Sequence, residues 1–395
     1  MEEWKEYKLG ELIELNNGFA FKSKDFVTSG IPVIKIKNVK ANRILLEDVS
    51  YVSMETAQNI KCTPIMPSDI LITMTGNRKD GSIDSWVGKV ALFNHEGLYL
   101  LNQRVSAIRI KYPDIVDYRY LAYYLSSFES QLYFINHSNS SGGQANISPE
   151  IVNNYIVNLP SFQTQKHISY LLKTLDDKIE QNRRINRNLE QQAQALFKAW
   201  FVDFESFKNG KFVDSELGKI PEGWRVGQLD ELIEIKYGKD HKKMLSGNIP
   251  VYGSGGIMRY VNMPIYEKES VLIPRKGSLN NVLYVNHPFW TVDTMFYTRM
   301  KINGIAKFIY LFISPIDLLS MNSGSAVPSM TTDILNKIRL VIPPKNIFDK
   351  FESLIAPFFD KIGSCNKEIC KLSNLRDALL PKLMSGELSI NTITE

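Results

Sequence analysis

Two kinds of hydrophobic spacing alternate along the chain, and the change from one to the other divides it into four parts. Short runs with strand character come first, at Ile31–Ile36, Ile70–Met74 and Val105–Ile110; they are rich in β-branched residues and bounded by turn formers. Helical spacing over Tyr118–Phe134 predicts a helix, followed by a Gly/Ser loop and one apolar strand, Tyr155–Pro160, that stops at proline. From Ile168 the period changes. Apolar or small positions recur at steps of four and three: Ile168, Leu172, Leu175, Ile179, Asn182, Asn186, Leu189, Ala193, Leu196 and Trp200. Heptads sustained over this length predict a coiled coil rather than a surface helix. The order of parts then repeats. Strands are predicted at Ser270–Ile273, Val282–Val285 and Lys337–Pro344, a helix at Ile305–Leu319, and a second seam at Phe351, Ile355, Phe358, Ile362, Cys365, Ile369, Leu372, Arg376, Leu379 and Leu383. Arg376 is the misfit.

The repetition extends to identities. Trp4, Leu9, Glu11, Leu12, Ile13, Glu14 and Gly18 recur 220 positions later as Trp224, Leu229, Glu231, Leu232, Ile233, Glu234 and Gly238. Ile31-Pro32-Val33 returns as Ile249-Pro250-Val251, and Asp69-Ile70-Leu71-Ile72 has a looser echo in Ser270-Val271-Leu272-Ile273. In the later part of each copy the offset is 183, so that Asp177-Lys178-Ile179 matches Asp360-Lys361-Ile362 and Ala195-Leu196 matches Ala378-Leu379. Like ends around an unlike interior arise by drift, or from a shared frame that carries two different readers; the frame is the favoured reading.

Chain order gives the helices a direction. The first leaves one globular part and ends where the other begins, and the second starts from that other part. If they pair along their length they are antiparallel, and the repeat gains a pseudo-two-fold axis; the alternative is two helices docked separately. Asn182 and Asn186 would set register at some cost in stability. A helix of roughly 37 residues is about 55 Å long. Past the seam, the stretch from Ala195 to Phe204 is more apolar than two helices can bury. Phe197, Trp200 and Phe201 therefore either pack under the second globular part or dock another subunit. The expected fold is α+β: two mixed α/β domains joined by two long antiparallel helices. The expected boundaries are 1–160 and 221–345 for the domains, 161–205 and 346–386 for the helices, 206–220 for a linker and 387–395 for a tail.

Composition narrows the class. With 44% hydrophobic and 11% aromatic residues among 395, the chain can bury real cores. No stretch approaches the ~18 apolar residues of a membrane span, and the charged start, MEEWKEYKLGELIE, lacks the apolar core of a signal peptide. Three cysteines, Cys62, Cys365 and Cys370, suit neither a disulfide framework nor a zinc site. A reducing cytoplasm is the expected compartment. The net charge of +5 is unevenly spread: residues 1–160 carry 16 basic and 17 acidic groups, residues 221–343 carry 14 and 10. Such a balance permits DNA binding without arguing for it, and suggests that partners share the grip.

Catalytic motifs are missing. Gly88-Lys89 is followed by Val90 and is no phosphate loop. Tyr252-Gly253-Ser254-Gly255-Gly256 is better read as a turn than as a dinucleotide site. The histidines stand singly, with no metal-ligand pairing. Asp114 and Asp117 lack the downstream acidic-x-Lys of a nuclease and read as a solvated turn.

The strings IPVIKIKNV, SDILITMTGN, LNQRVSAI, NLPSFQTQKHISYLL, QALFKAWFVDFE and LGKIPEGW, then IPVYGSGGI, VLIPRKGS, NHPFWTVDTMF, LVIPP and LRDALLPKLMSGEL, resemble Type I restriction–modification specificity subunits in order and twice over. The resemblance covers nearly the whole chain. It departs where the usual glutamate–glutamine pair at helix entry is replaced by Ser161-Phe162 and Pro344-Lys345-Asn346. It implies a non-catalytic subunit whose globular parts are target-recognition domains for the halves of a split site in double-stranded DNA. The helices would be spacer and dock for two methyltransferase subunits, and two motor–nuclease subunits would complete the restriction complex. S-adenosylmethionine, ATP and magnesium would belong to those partners, with no cofactor, metal or membrane for this chain. Two competing readings are a coiled-coil scaffold that binds other proteins and the specificity subunit of a fused nuclease–methyltransferase system.

Base reading needs Arg, Lys, Asn or Gln on loops that reach groove edges. In the first copy the polar loop Thr75–Ser82 supplies Asn77, Arg78, Lys79 and Ser82. Lys35, Lys37, Asn38 and Lys40 are expected to alternate out of a strand; Gln103, Arg104, Ser141 and Gln144 follow. In the second copy the candidates are Tyr252, Ser254, Arg275, Lys276, Ser278, Asn280, Ser323 and Ser325. Arg78 and Arg275 are preferred because arginine is guanine's most effective partner. A solvated loop is the competing reading for each residue alone.

Overall fold

The computed structural model describes residues 4–60, 63–78, 85–141, 144–322 and 328–389. It is an α+β protein with two β-rich compact units: one gathers the chain up to Glu180 and again from Ile369, the other comprises Gln181–Glu368. Each long helix, Phe162–Phe201 and Lys345–Met384, contributes one stretch to each unit.

In the first unit an antiparallel sheet has the order Val90–Leu92, Ile70–Thr73, Val105–Ile110, Ile13–Asn17. Ile70 and Ile72 enter one core while Leu71, between them, enters another on the opposite face. Burial on both faces explains why this strand reads as a continuous apolar run rather than an alternation. A second sheet places Ile31–Ile34 between Leu100–Leu101, which runs parallel to it, and Ser50–Val52, antiparallel. The helix expected over Tyr118–Phe134 is two, Tyr118–Leu125 and Phe128–His137. Ser127 separates them because its hydroxyl accepts from the Ser130 amide and caps the second. Asp117 does the same for Tyr120, so it is a buried cap rather than part of a solvated turn.

The second unit repeats this plan. Its first sheet has the order Leu283–Val285, Ser270–Pro274, Met295–Met300, Ile233–Tyr237, and its second places Ile249–Gly253 between Gly256–Val261 and the parallel Trp290–Thr291. Register repeats as well. Lys5 lies opposite Leu159, and Arg225 opposite Ile342; Glu14 lies opposite Arg109, and Glu234 opposite Arg299. The glycine-rich Gly253–Gly256 stretch is the turn of a hairpin, with Gly256 at φ +111°. The helix predicted to Leu319 ends at Ile313, before Pro315. Residues 206–220, read as a linker, contain the strand Phe212–Ser215, which pairs with Gly218–Pro221.

The long helices pack together antiparallel in each unit. In the second, Asn182 donates to Glu368 at 2.9 Å and Asn186 to Asn366 at 2.7 Å, so partner numbers fall as the first helix advances. In the first, Ile168 and Leu172 share a core with Leu380 and Leu383. Leu175, Leu189, Leu372 and Leu379 are half-buried, whereas Ile179, Phe351, Ile355, Ile362 and Leu383 are buried. Arg376, the misfit in the sequence pattern, is accommodated by an ion pair. It meets Asp176 at 2.7 Å, and the Tyr123 hydroxyl donates to the same carboxylate at 2.7 Å. Burial works against the Arg376 charge, but Asp176 and the adjacent Asp377 together outweigh it and hold the guanidinium above its ordinary pKa.

Of the two alternatives for the stretch past the seam, the structure has the first, packing under the second globular part. Phe197 and Phe201 are core residues of the second unit, their rings 4.8–6.2 Å from Phe351 and 4.9–5.3 Å from Phe308. Trp200 lies partly buried against the same cluster, with Leu196. The surplus apolar surface past the seam is covered by the chain's own second unit, so these rings are not a free docking face for another subunit.

Candidate nucleic-acid interface

At one end of the main sheet, each unit builds the same turn. In the first, the chain passes from Leu101 to Val105 through Asn102, Gln103 and Arg104. Phe19 donates to Leu101 O at 2.8 Å, Gln103 to Phe19 O at 2.9 Å, Gly18 to Val105 O at 3.2 Å and Met74 to Arg104 O at 2.9 Å. In the second, Lys239 donates to Thr291 O at 2.9 Å, Gly238 to Met295 O at 3.2 Å and Arg275 to Thr294 O at 2.9 Å. A Cβ on Gly18 would overlap the Asn102 carbonyl, and one on Gly238 the Val292 carbonyl. Glycine is therefore required for close backbone approach at both places. Gln103 and Arg104 stand exposed at the first turn, and Asp293 at the second.

Around the first turn the candidates converge. Thr75–Gly76 pairs with Gln144–Asn146, which in turn pairs with Asn139–Ser141. Arg104 Nη1 lies 3.3 Å from Thr75 Oγ1 and 3.4 Å from Gln144 Oε1, and the Thr75 hydroxyl donates to Asn146 at 2.8 Å. Arg78 is exposed and donates to Ser138 O at 3.0 Å, while Asn77 Nδ2 donates to Ser85 Oγ at 3.1 Å. The sequence signal for this small sheet was only a Gly/Ser loop, because strands of two and three residues carry no readable period. Ser141 lies opposite Gln144 in the ladder; Lys79 and Ser82 fall outside the described residues.

The second candidate group is corrected. The strand ends at Ile34, and Ile36–Asn38 is a 3-10 turn, so Lys35, Lys37, Asn38 and Lys40 do not alternate out of a strand. Asn38 is 2% exposed; its amide donates to Leu45 O and Asp48 O, and its oxygen accepts from the Lys35 amide. It therefore braces the turn and has no spare edge for a base. Lys37 pairs with Asp48 at 2.6 Å, and Lys40 is half-buried. Lys35 lies 3.5 Å over the Phe26 ring; partial burial, with Lys37 nearby, lowers its pKa.

In the second unit Arg275 and Lys276 sit where the first has Met74 and Thr75. Ile147 donates to Met74 O, and Met330 to Arg275 O; Asn146 lies opposite Thr75, and Ser329 opposite Lys276. Arg78 and Arg275 are thus not equivalent positions. Arg275 Nη1 donates to Asp293 O at 3.1 Å, and its guanidinium lies 5.3 Å from the Tyr237 ring centroid. Asn281 donates to Ser254 O at 2.8 Å, which ties the hairpin turn to this loop. Lys276 and Ser278 are exposed, while both polar ends of the Asn280 side chain bond within the unit, to Asp317 and the Leu319 amide. Tyr252 is corrected: it is 8% exposed and its hydroxyl lies 3.1 Å from His287 Nε2, so it serves the core. Ser323 and Ser325 fall outside the described residues. Asp293 was absent from the candidates because a carboxylate is an unpromising guess for a polyanion.

Among the described residues no group of three His, Cys, Asp or Glu could hold a metal ion, and no helix is long and apolar enough to cross a membrane. The first turn offers a rim of hydrogen-bonding side chains and the second the Asp293 carboxylate, groups of the kinds that can read base edges.

Comparison with known proteins bears on the family and the fold. The profile of the Type I restriction modification DNA specificity domain matches residues 1–191 and 221–374. The MjaIX specificity subunit of Methanocaldococcus jannaschii is 32% identical over 263 residues, 59% of this chain and 61% of that one. The HindI specificity subunit of Haemophilus influenzae is 25% identical across 98% of this chain and its whole length. Among solved structures, the S subunit of a Type I restriction–modification system from M. genitalium has the same fold, with a TM-score of 0.56 and 18% identity, covering 97% of this chain and 96% of that one.

Proposed function

Because the chain belongs to the Type I restriction–modification DNA specificity family, we propose that each of its two units reads one half of a split site in double-stranded DNA. The carrying observation is the turn built twice on one hydrogen-bonded frame with different exposed residues, Gln103 and Arg104 in one unit and Asp293 in the other. A common frame with unlike tips suits two readers of unlike sequence, and drift alone gives no reason for the frame to be kept.

In this reading the chain supplies the choice of site for both methylation and restriction and performs neither reaction. Two methyltransferase subunits dock on it, and two motor–nuclease subunits complete the complex, in the cytoplasm. S-adenosylmethionine, ATP and magnesium belong to those subunits. Docking falls to the exposed faces of the long helices in this reading, and Phe197 and Phe201 take no part in it because they belong to the second unit's core.

Substitution separates the two readers. Arg78→Ala is expected to relax sequence choice in one half-site and Arg275→Ala in the other, each by about 1–3 kcal/mol of discrimination. Methylation-sensitive sequencing of a host that carries the complex reads this directly. One substitution that alters both half-sites would overturn the two-reader scheme.

A further inference from the structure

The two equivalent turns differ most at their tips. Gln103 and Asp293 occupy the same place. Each lies two residues before the first residue of the central strand, Val105 or Met295. Each turn is closed by a bond from that residue's amide to the carbonyl three positions back, Asn102 at 2.9 Å or Val292 at 3.0 Å. The glycine opposite each turn packs so closely against it that a side chain there would meet the turn's own carbonyl. The frame therefore fixes where the side chain starts, and its identity decides only which hydrogen bonds it offers.

Those offers are opposite in kind. Gln103 carries a donor and an acceptor side by side, the pattern that matches adenine N6 and N7 in the major groove. Asp293 has only acceptors, which match the N4 amine of cytosine. A carboxylate at a surface that must approach phosphates is unfavourable unless it meets a donor. Among the described residues, the Asp293 side chain has no hydrogen-bond or ion-pair partner; the neighbouring Arg275 bonds its backbone oxygen instead. Beside the tip is an open cavity of about 450 Å³ bordered by Asp240, Lys242, Met258, Asp293 and Thr294.

We infer that the residue at the tip of this turn is a specificity-determining position, with Asp293 accepting from the exocyclic amine of a cytosine in the half-site read by the second unit. This rests on the half-site reading proposed above and adds the base and the residue that selects it. The same frame in the first unit presents Gln103, whose matching base is adenine.

A swap tests it. The full chain, copurified with its methyltransferase subunits, selects duplexes from a randomised pool, and the enriched sites are compared for wild type, Asp293→Gln and Asp293→Glu. The wild type is expected to require a cytosine–guanine pair in one half-site. Asp293→Gln shifts that single position toward adenine by about tenfold or more, and Asp293→Glu, which keeps the acceptor, retains cytosine. Both variants lie on an exposed side chain, and methylation of the unchanged half-site reports that the protein is folded. An unchanged consensus in Asp293→Gln, or a wild-type half-site without any cytosine–guanine pair, overturns the inference while leaving two-domain recognition standing; a change in both halves overturns the two-reader scheme and this inference with it. A wild-type complex that enriches no sequence overturns the half-site reading itself, and this inference with it.

Discussion

Arg376 shows what a single residue can hide from its sequence pattern. It breaks an otherwise apolar heptad seam, yet it is half-buried and answers Asp176 and, through it, the Tyr123 hydroxyl. Truncating one partner of such a pair leaves the other charge desolvated and unpaired. Arg376→Ala is expected to cost roughly 2–3 kcal/mol, less than the deepest buried pairs because Asp176 retains some solvent. Asp176→Asn in the same background should recover part of that loss. Urea denaturation of the wild type and both variants measures both effects, and an unmoved midpoint in Arg376→Ala would show that water replaces the pair. The seam itself was legible from the spacing of Ile168, Leu172 and Ile179. The Asp176 contact was not, because it joins residues 200 positions apart.

At the scale of elements, the long helices do more than space. The end of the central helix inserts Ala193, Phe197 and Phe201 into the second unit's core, and the end of the C-terminal helix inserts Leu380, Leu383 and Met384 into the first unit's core. Each globular part therefore needs the far end of a helix to close it. Phe201→Ala removes a ring packed against Trp224, Phe308 and Phe351. It is expected to destabilise the second unit by about 3–5 kcal/mol. Hydrogen exchange resolved by peptide should show the loss of protection within Gln181–Glu368 first, and uniform protection across both units would contradict it. Sequence reading found the strands that are buried on both faces, Ile70–Thr73 and Ser270–Pro274, because they are continuous apolar runs. It missed the hairpin at Phe212–Pro221 and the pairing of Thr75–Gly76, where strands of two to four residues lie partly exposed and leave no pattern to read.

For the whole molecule the decisive quantity is charge. The first copy is nearly neutral, 16 basic groups against 17 acidic in residues 1–160. Nonspecific grip on DNA scales with the number of phosphates neutralised, so the isolated chain should bind weakly and lose little affinity with added salt. Assembly with partner subunits should steepen the slope of log affinity against log salt concentration toward that of proteins making about 6–10 phosphate contacts. Fluorescence anisotropy on one duplex between 50 and 200 mM salt compares the two. Equal slopes for chain and complex would place the grip here after all.

The sequence by itself determined the duplicated plan, the fold class and the helix seams, which are written in periodicity and in identities repeated 183 or 220 positions apart, and its ordered strings carried the resemblance to the family. Only the tertiary structure decided which polar residues remain available. It buried Asn38 and Tyr252 behind internal hydrogen bonds, separated Arg78 from Arg275 as non-equivalent positions, and raised Asp293 to the tip occupied in the first unit by Gln103. The physical reason is the same throughout. A hydrophobic pattern records which side chains leave water, whereas the partners of a polar side chain are set by backbone brought together from distant parts of the chain.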